Sequence, residues 1–340
     1  MSNTITEERV LKSLATVEDP ELHKDLVSLG FIEDLKVSEN DISFTVMLTT
    51  PACPMKEKIR KDCEEALHRD IPEASDIAIR FGARVAADPR LAADQAPFKN
   101  VIAVGAGKGG VGKTTVAVNL ALALASTGAK VGILDADVYG PNIPQVLGTD
   151  VQPDQRDGKL LPVEKHGVQM MSMGFLIPAG QALVWRGPMI HNAINQLVTQ
   201  VAWGELDYLV VDLPPGTGDA QMSLAQQLPL TGAVVVTTPQ GVSVSDTLRG
   251  IDAFRKLEVP VLGVVENMAG PIFGSGAGED AAQQMEAPFL GRLPLEAEVA
   301  AAGEAGEPLM AQSGDDEARR VFREMAGSLA ASVSVIRSQG

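Results

Sequence analysis

Two hydrophobic patterns follow one another along this chain. Alternating apolar and polar positions dominate the first part, as in "FIEDLKVS" and "DISFTVMLTT", which the turn residues Glu39 and Asn40 separate. A period of two predicts half-buried strands, so we expect a β-hairpin there with a helix on either side. A last strand, "ASDIAIRF", is predicted to complete a small α+β domain over residues 1–85.

Residues 100–340 contain uninterrupted apolar runs instead of alternation. These runs are rich in β-branched residues, and helical stretches separate most of them: "NVIAVGA", "KVGILDAD", "DYLVVDLP", "GAVVVTTP", "VPVLGVVEN" and "PFLGRLP". Strands buried on both faces have this pattern, and parallel strands require crossover helices. We therefore predict an α/β domain with a mainly parallel sheet between helices. Residues 86–99, rich in Ala, Pro and Asp, are predicted to be a linker.

Charge and composition narrow the class of protein. The 340 residues are 45% hydrophobic and carry a formal net charge of −16. Such a surface repels nucleic-acid phosphates and anionic lipids, so we expect no nucleic-acid and no membrane partner. No apolar run reaches the roughly 18 residues of a membrane span, and a signal-peptide pattern is lacking. Two cysteines, Cys53 and Cys63, fit a reducing compartment, and a cytoplasmic location is expected.

A glycine-rich segment, "GKGGVGKTT", lies between a predicted strand and a predicted helix. Its first eight residues match G-x-x-x-x-G-K-[ST], the phosphate-loop pattern, in which backbone N–H groups and a helix N-terminus hold phosphates. Lys113 is expected to reach the β- and γ-phosphates, and Thr114 to ligate Mg²⁺. We assign nucleotide binding to the whole segment: Gly107, Lys108, Gly109, Gly110, Val111, Gly112, Lys113, Thr114 and Thr115.

Acidic residues end two of the predicted strands. Asp135 and Asp137 follow "GIL", and Asp212 follows "YLVV". Ligands of open α/β sheets bind outside the carboxyl ends of the strands, so we expect these carboxylates beside the phosphate loop. Asp212 is predicted to hold Mg²⁺ through water. The turn at residues 214–218, "PPGTG", is predicted to sense the terminal phosphate through its amides.

The segment "KGGVGKTT" resembles the deviant phosphate loop of the class that contains MinD, ParA and the nitrogenase iron protein. This resemblance implies ATP as the nucleotide and a homodimer in which Lys108 crosses to the partner's nucleotide, neutralising charge as an arginine finger does. It also implies that Asp137 positions the attacking water and that Asp135 supports the metal. Asn267 is then the reader of adenine, with Pro294 packed on the base.

Further segments narrow the resemblance. "DADVYGPNIPQVLG", "WRGPMI", "DYLVVDLPPGTGD" and "VVENM" together resemble the Mrp/ApbC family, P-loop ATPases that bind and transfer iron–sulfur clusters. "VEDPEL", "DLVSLGFI" and "TTPACPM" resemble the iron–sulfur-assembly domain often fused ahead of that ATPase. The implied function is an ATP-hydrolysing carrier or assembly factor that works as a nucleotide-switched homodimer and transfers clusters to apoproteins. A dimer or effector surface is implied at Trp185 and Arg186.

One departure from this family concerns the cluster ligands. The family usually follows "ENM" with C-x-x-C, whereas this chain reads "ENMAGPIFGSGAGED" and has no cysteine after Cys63. Three alternatives stay open. Cys53, ahead of a predicted helix whose dipole would lower its pKa, binds an iron–sulfur cluster; a separate cysteine-bearing scaffold is the partner; or the chain is a MinD/ParA-like positioning or regulatory ATPase without a cluster. Cys63 is predicted to be simply buried.

Overall fold

The computed structural model describes residues 5–93, 97–176 and 187–339. The chain divides into two compact units, residues 1–86 with 330–340 and residues 87–329. Trp185 and Arg186, predicted to lie at a dimer or effector surface, are outside the described residues.

The first unit contains the predicted hairpin. Its elements are α1 Glu7–Leu14, β1 Glu18–Asp19, β2 Lys24–Asp25, β3 Ile32–Ser38, β4 Asp41–Leu48, α2 Lys56–Asp70 and β5 Asp76–Ala83. The strands β3 and β4 pair antiparallel around Glu39, whose φ of 54° suits a tight turn, and β4 pairs parallel with β5. Every second side chain of β4 is buried, among them Phe44, against Ile59 and other residues of α2. The α+β class predicted for this part is confirmed.

The second unit is built around an eight-stranded sheet. The strands that carry it are β6 Phe98–Ala106, β7 Val131–Asp135, β10 Val163–Lys165, β11 Val168–Ser172, β12 Leu206–Asp212, β13 Gly232–Thr237, β14 Val261–Ala269 and β15 Phe289–Pro294; β8 Gln155–Arg156 and β9 Lys159–Leu160 form a separate pair. The strand order is β10-β11-β7-β12-β6-β13-β14-β15. All of its neighbours pair parallel except β10 and β11, so the predicted mainly parallel sheet is confirmed.

Helices precede, connect and follow these strands. They are α3 Pro89–Ala93, α4 Lys113–Ser126, α5 Ile143–Val146, α6 Gly187–Thr199, α7 Asp219–Gln227, α8 Gly241–Lys256, α9 Ala277–Gln284, α10 Ala297–Glu304 and α11 Glu317–Gln339, with short 3₁₀ turns at Met173–Leu176 and Leu309–Ala311. The central helix α4 is apolar almost all round, with ten buried residues, because it lies between the sheet and further elements. Among the described residues no helix is long and apolar enough to cross a membrane.

The register of the sheet places the predicted acids at one edge. Asp212 of β12 pairs with Asp135 of β7 on one side and with Val104 of β6 on the other. Two residues after Val104, β6 ends and the phosphate loop begins. Parallel pairing therefore brings the carboxyl ends of three strands to one place, which is where ligands bind in open α/β sheets.

The segment between the two predicted domains differs from expectation. Residues 86–99 were expected to be a linker, but the second unit begins at residue 87 and contains α3 within that range. Leu91 is 1% exposed in the core of this unit. Asp88 is fully buried, and its carboxylate accepts hydrogen bonds from Arg90 and Thr231. A buried carboxylate needs such donors, so residues 88–91 belong to the folded second unit.

Candidate functional site

The phosphate-loop segment joins the end of β6 to the start of α4. Gly110 and Gly112 have φ values of 79° and 80°, which only glycine adopts readily. Gly107 lies so close to α8 that an added Cβ would be 2.4 Å from the Asp246 backbone. This strand–loop–helix arrangement confirms the context that the motif requires for phosphate binding.

A cluster of three side chains, two of them buried, lies at the start of α4. Lys113 Nζ is 2.5 Å from Asp212 Oδ1, and Thr114 Oγ1 donates to Asp212 Oδ2 at 2.7 Å. Asp212 is fully buried and Lys113 is 6% exposed. Burial raises the pKa of Asp212, and the ammonium and the hydroxyl oppose that rise by stabilising the charged form. The structure thus brings the predicted lysine, threonine and Walker-B aspartate into direct contact.

The two carboxylates after β7 have different surroundings. Asp137 Oδ2 is 3.9 Å from Lys113 Nζ, while its Oδ1 accepts the Tyr139 N–H. Asp135 accepts hydrogen bonds from the Ile143 N–H and the Ser172 hydroxyl. Burial, and then the charge of the nearby Asp212, raise the pKa of Asp135 to about 7. Asp137 therefore faces Lys113. The hydrogen bonds of Asp135 hold the segment that follows β7 and the end of β11. Metal support by Asp135 stays a prediction.

Asn267 reaches the phosphate loop directly. It lies on β14, is 7% exposed, and donates from Nδ2 to the Val111 carbonyl at 2.9 Å. Gly112 has no room for a side chain, because an added Cβ would be 2.2 Å from Asn267 Nδ2. Pro294, the other residue predicted at the base, pairs with Ala269 close to Asn267 in the sheet. Asn267 and Pro294, the two residues predicted to contact the base, thus lie at the same edge of the sheet as the phosphate loop.

The turn at residues 214–218 is fixed to the strand that precedes the loop. The Leu213 N–H donates to the Val104 carbonyl, and the Gly216 N–H donates to the Ala106 carbonyl at 2.9 Å. Gly216 has a φ of 100°, which suits glycine. Pro214 and Pro215 have no N–H, and the Gly216 N–H already donates to Ala106. The prediction that amides of this turn contact the terminal phosphate is therefore narrowed to Thr217 and Gly218.

Lys108 lies at the partly exposed start of the loop, beside the exposed Gly109. This position differs from that of Lys113, which is inside the cluster with Asp212. A half-exposed loop lysine is accessible to a second molecule. Its role across a dimer interface stays a prediction.

Glu266 is a residue that the sequence reasoning missed. It precedes Asn267, is fully buried, and accepts from the N–H groups of Gly276 and Gly278 and from Arg292 Nε at 2.7 Å. The carboxylate thus stabilises the amino end of α9 and fixes the loop that follows Asn267. A lone acid inside the apolar run "VVENM" is the signal that could have found it.

The surroundings of Cys53 contradict one expectation. Its Sγ is 3.9 Å from Glu21 Oε1, and α2 starts only at Lys56. Burial, and then the charge of Glu21, raise the pKa of the Cys53 thiol to about 11, so the predicted helix-dipole lowering is wrong. Among the described residues no group of three or more His, Cys, Asp or Glu is arranged to hold a metal ion. Cys63 is fully buried in the core, as predicted.

Comparison with known proteins decides the family. Residues 97–330 match the family described as NUBPL iron-transfer P-loop NTPase, and residues 7–81 match the iron–sulfur cluster assembly protein family. An iron–sulfur cluster carrier protein of Deinococcus radiodurans is 50% identical over 96% of this chain and 95% of its own length. One of Escherichia coli K12 is 40% identical over 95% of this chain and 91% of its own length.

This chain belongs to the iron–sulfur cluster carrier family. The resemblance to Mrp/ApbC proteins is therefore confirmed, and both halves of the chain take part in it. A nucleotide-binding protein of Archaeoglobus fulgidus, solved with ADP, is 36% identical with a TM-score of 0.56 over 62% of this chain and 88% of its own. The MinD cell-division ATPase of Pyrococcus furiosus, 24% identical with a TM-score of 0.55 over 67% of this chain and 97% of its own, shares the fold.

The buried pair of Lys113 and Asp212 predicts the behaviour of the nucleotide-free protein. Lys113→Ala leaves a buried carboxylate without its cation and is expected to lower the free energy of unfolding by about 3–5 kcal/mol at pH 8. The loss should shrink as the pH falls from 8 to 5, because burial raises the pKa of Asp212 and the protonated form needs no cation. Urea unfolding at both pH values measures this.

Two variants make this experiment decisive. The double variant Lys113→Met with Asp212→Asn removes both charges and should recover most of the stability. Lys256→Ala breaks an exposed pair with Asp252 and should cost less than about 1 kcal/mol. If Lys113→Ala unfolds like Lys256→Ala, the buried pair does not stabilise the empty site.

The raised pKa of Cys53 predicts slow thiol chemistry. In a Cys63→Ala background, alkylation by iodoacetamide at pH 8 should be about 100-fold slower than that of an ordinary cysteine, since only the thiolate reacts. Glu21→Gln should speed it, because burial holds the pKa of Glu21 at about 7 and the carboxylate is charged at pH 8. Glu7→Gln, at an exposed position in the first turn of α1, is the control. An alkylation midpoint below pH 8 would restore the thiolate hypothesis.

Proposed function

We propose that this protein binds and hydrolyses ATP with Mg²⁺ and serves as an iron–sulfur cluster carrier or assembly factor, working as a nucleotide-switched homodimer. The observation that carries the proposal is the contact of Lys113 and Thr114 with the buried Asp212 at the start of α4. The similarity to iron–sulfur cluster carrier proteins over nearly the whole chain supports it. Apo iron–sulfur proteins are the proposed recipients.

The donor set at the phosphate loop fits Mg²⁺. The Thr114 hydroxyl and the Asp212 carboxylate are oxygen ligands of the kind that Mg²⁺ prefers, and they lie 2.7 Å apart. Thr114 would bind the ion directly and Asp212 through water. When bound, the ion would neutralise charge on the phosphates.

The protein's own residues would perform the remaining steps. Backbone N–H groups of the loop and the amino end of α4 would hold the phosphates. Lys113 would turn from Asp212 towards the β- and γ-phosphates. Asp137, 3.9 Å from Lys113, would orient the attacking water. Asn267 would bind the adenine edge, since an amide both donates and accepts.

Lys108 would act on the nucleotide of a second copy. Its partly exposed position at the start of the loop supports this role. ATP would then close two subunits face to face, and hydrolysis would reopen them. Such a two-state switch would couple nucleotide state to holding or releasing a cluster.

Lys108→Ala should therefore reduce steady-state ATP hydrolysis by about 10³-fold, the scale of an arginine finger, while nucleotide affinity stays nearly unchanged. Lys113→Ala should weaken nucleotide affinity itself, and the exposed Lys256→Ala should do neither. The measurements are phosphate release and titration calorimetry. Hydrolysis that survives in Lys108→Ala would exclude the role across the interface.

Cluster binding depends on the two cysteines, which are not part of the phosphate-loop site. Cys53 and Cys63 both lie in the first unit, and residues 87–329 contain no cysteine. Of the two, Cys53 is partly exposed and Cys63 is fully buried. Cys53 is therefore the thiol proposed to contact a cluster, with further thiolates from a second copy or a cysteine-bearing scaffold.

Anaerobic reconstitution with iron and sulfide tests this part. Wild type is expected to gain a visible charge-transfer band and bound iron, Cys53→Ala to lose both, and Cys63→Ala to behave as wild type if it folds. If wild type binds no iron, autonomous carriage is excluded, and a thiol-bearing partner must hold the cluster.

The absence of cysteine from residues 87–329 also favours a second candidate. The chain would then be a MinD/ParA-like positioning or regulatory ATPase without a cluster. The net charge of −16 argues against the nucleic-acid-binding form of that function. A protein that hydrolyses ATP but neither binds iron nor promotes cluster transfer to an apoprotein would favour this candidate.

A further inference from the structure

The side chain of Gln221 lies between the phosphate-loop strand and the turn at residues 214–218. Gln221 is the third residue of α7 and is 1% exposed. Three carbonyl groups surround its amide, so its nitrogen faces them. Its two N–H groups face the Pro214 carbonyl at 3.1 Å, the Ala106 carbonyl at 3.2 Å and the Gly216 carbonyl, so at least one N–H is shared between two acceptors. One buried amide thus connects the turn to the end of β6.

These acceptors all belong to elements outside α7. Ala106 is the last residue of β6, directly ahead of Gly107, whereas Pro214 and Gly216 lie in the turn after Asp212. A glutamine that only filled space, or only satisfied its own helix, would not bridge two such segments. The Gly216 N–H donates to the same Ala106 carbonyl, so the turn and the strand end are joined at one point.

The strand is shaped to admit this side chain. Gly105 has no Cβ, and an added one would lie 2.9 Å from the Gln221 amide and 3.0 Å from the Phe254 ring. Gly105 is a glycine inside a buried strand, where a β-branched residue would otherwise be favoured. The close approach of Gln221 explains why a larger residue is absent there.

The turn has few amides left for a phosphate. Residues 214 and 215 are prolines, and the Gly216 N–H is used by Ala106. Among residues 214–218, the N–H groups of Thr217 and Gly218 are therefore the ones that remain to contact a terminal phosphate. Their direction depends on where the turn is fixed, because they follow it immediately.

We propose that Gln221 is a positioning residue that fixes this turn against the phosphate loop and so sets the preference for a nucleoside triphosphate over a diphosphate. The inference rests on the proposed ATPase function and adds to it a residue that does not touch the nucleotide. Loss of these amide contacts loosens the turn, which then keeps only its backbone hydrogen bonds to β6, so recognition of the terminal phosphate weakens. The diphosphate is held by the loop and keeps its affinity.

Two substitutions of nearly the same shape test the proposal. Gln221→Met keeps the length and removes the donors, and Gln221→Glu replaces the donors with a carboxylate that faces three carbonyls. The matched controls are Gln226→Met and Gln226→Glu, on the exposed side of the same helix. Thermal unfolding shows which of the variants fold, and either Gln221 variant suffices for the test.

The main readout is equilibrium binding of ADP and of a non-hydrolysable ATP analogue, each with Mg²⁺. Both Gln221 variants should weaken the analogue by at least about 5-fold and change ADP by less than about 2-fold, the scale of a coupling between two sites. Hydrogen exchange should speed up at residues 216–218. Hydrolysis in saturating ATP should fall, and the Gln226 variants should match wild type in every measurement.

Two results would overturn the inference. Unchanged binding of the analogue would mean that Gln221 does not set the turn, and an equal loss for ADP and analogue would mean a merely structural role. Wild type that binds neither nucleotide would contradict the proposed function as well, and this separates the two failures.

Discussion

The phosphate-loop site depends on one buried carboxylate. Asp212 ends a central strand with no exposed surface, and a charge in such a place is stable only if donors surround it. Those donors are the first two residues of α4, Lys113 and Thr114. The same contact therefore fixes the amino end of that helix, the last turn of the phosphate loop and the end of β12. A phosphate that binds there must compete with Asp212 for the Lys113 ammonium.

Much of the second unit could be predicted from the sequence, because each of the patterns that indicate its strands and its phosphate loop is local. Six apolar runs became β6, β7, β12, β13, β14 and β15, and the loop motif lies in the expected place between strand and helix. The strands β10 and β11 were missed, since "VEK" and "VQMMS" are short and mix polar with apolar residues. They are stabilised by pairing with each other and with β7, which no local pattern shows.

The errors came from contacts between residues distant in sequence. The sequence predicted the helix after Cys53, and so a lowered thiol pKa. It did not show that Glu21, 32 residues earlier, lies beside the Cys53 thiol. Composition suggested a linker before β6, but Leu91 enters the core there and Thr231 donates to Asp88. Gln221 gave no signal of its own, because a glutamine in a helix is usually exposed. Burial and partners, which decide all three cases, are properties of the fold.

The contact between Gly112 and Asn267 has an evolutionary consequence. A methyl group at position 112 would lie 2.2 Å from the Asn267 amide, so the loop and the end of β14 fit each other without spare room. A larger residue at position 112 would displace the Asn267 side chain, and a larger side chain at 267 would displace the loop. A substitution at one position changes the space available at the other, so the two positions are expected to change together rather than singly.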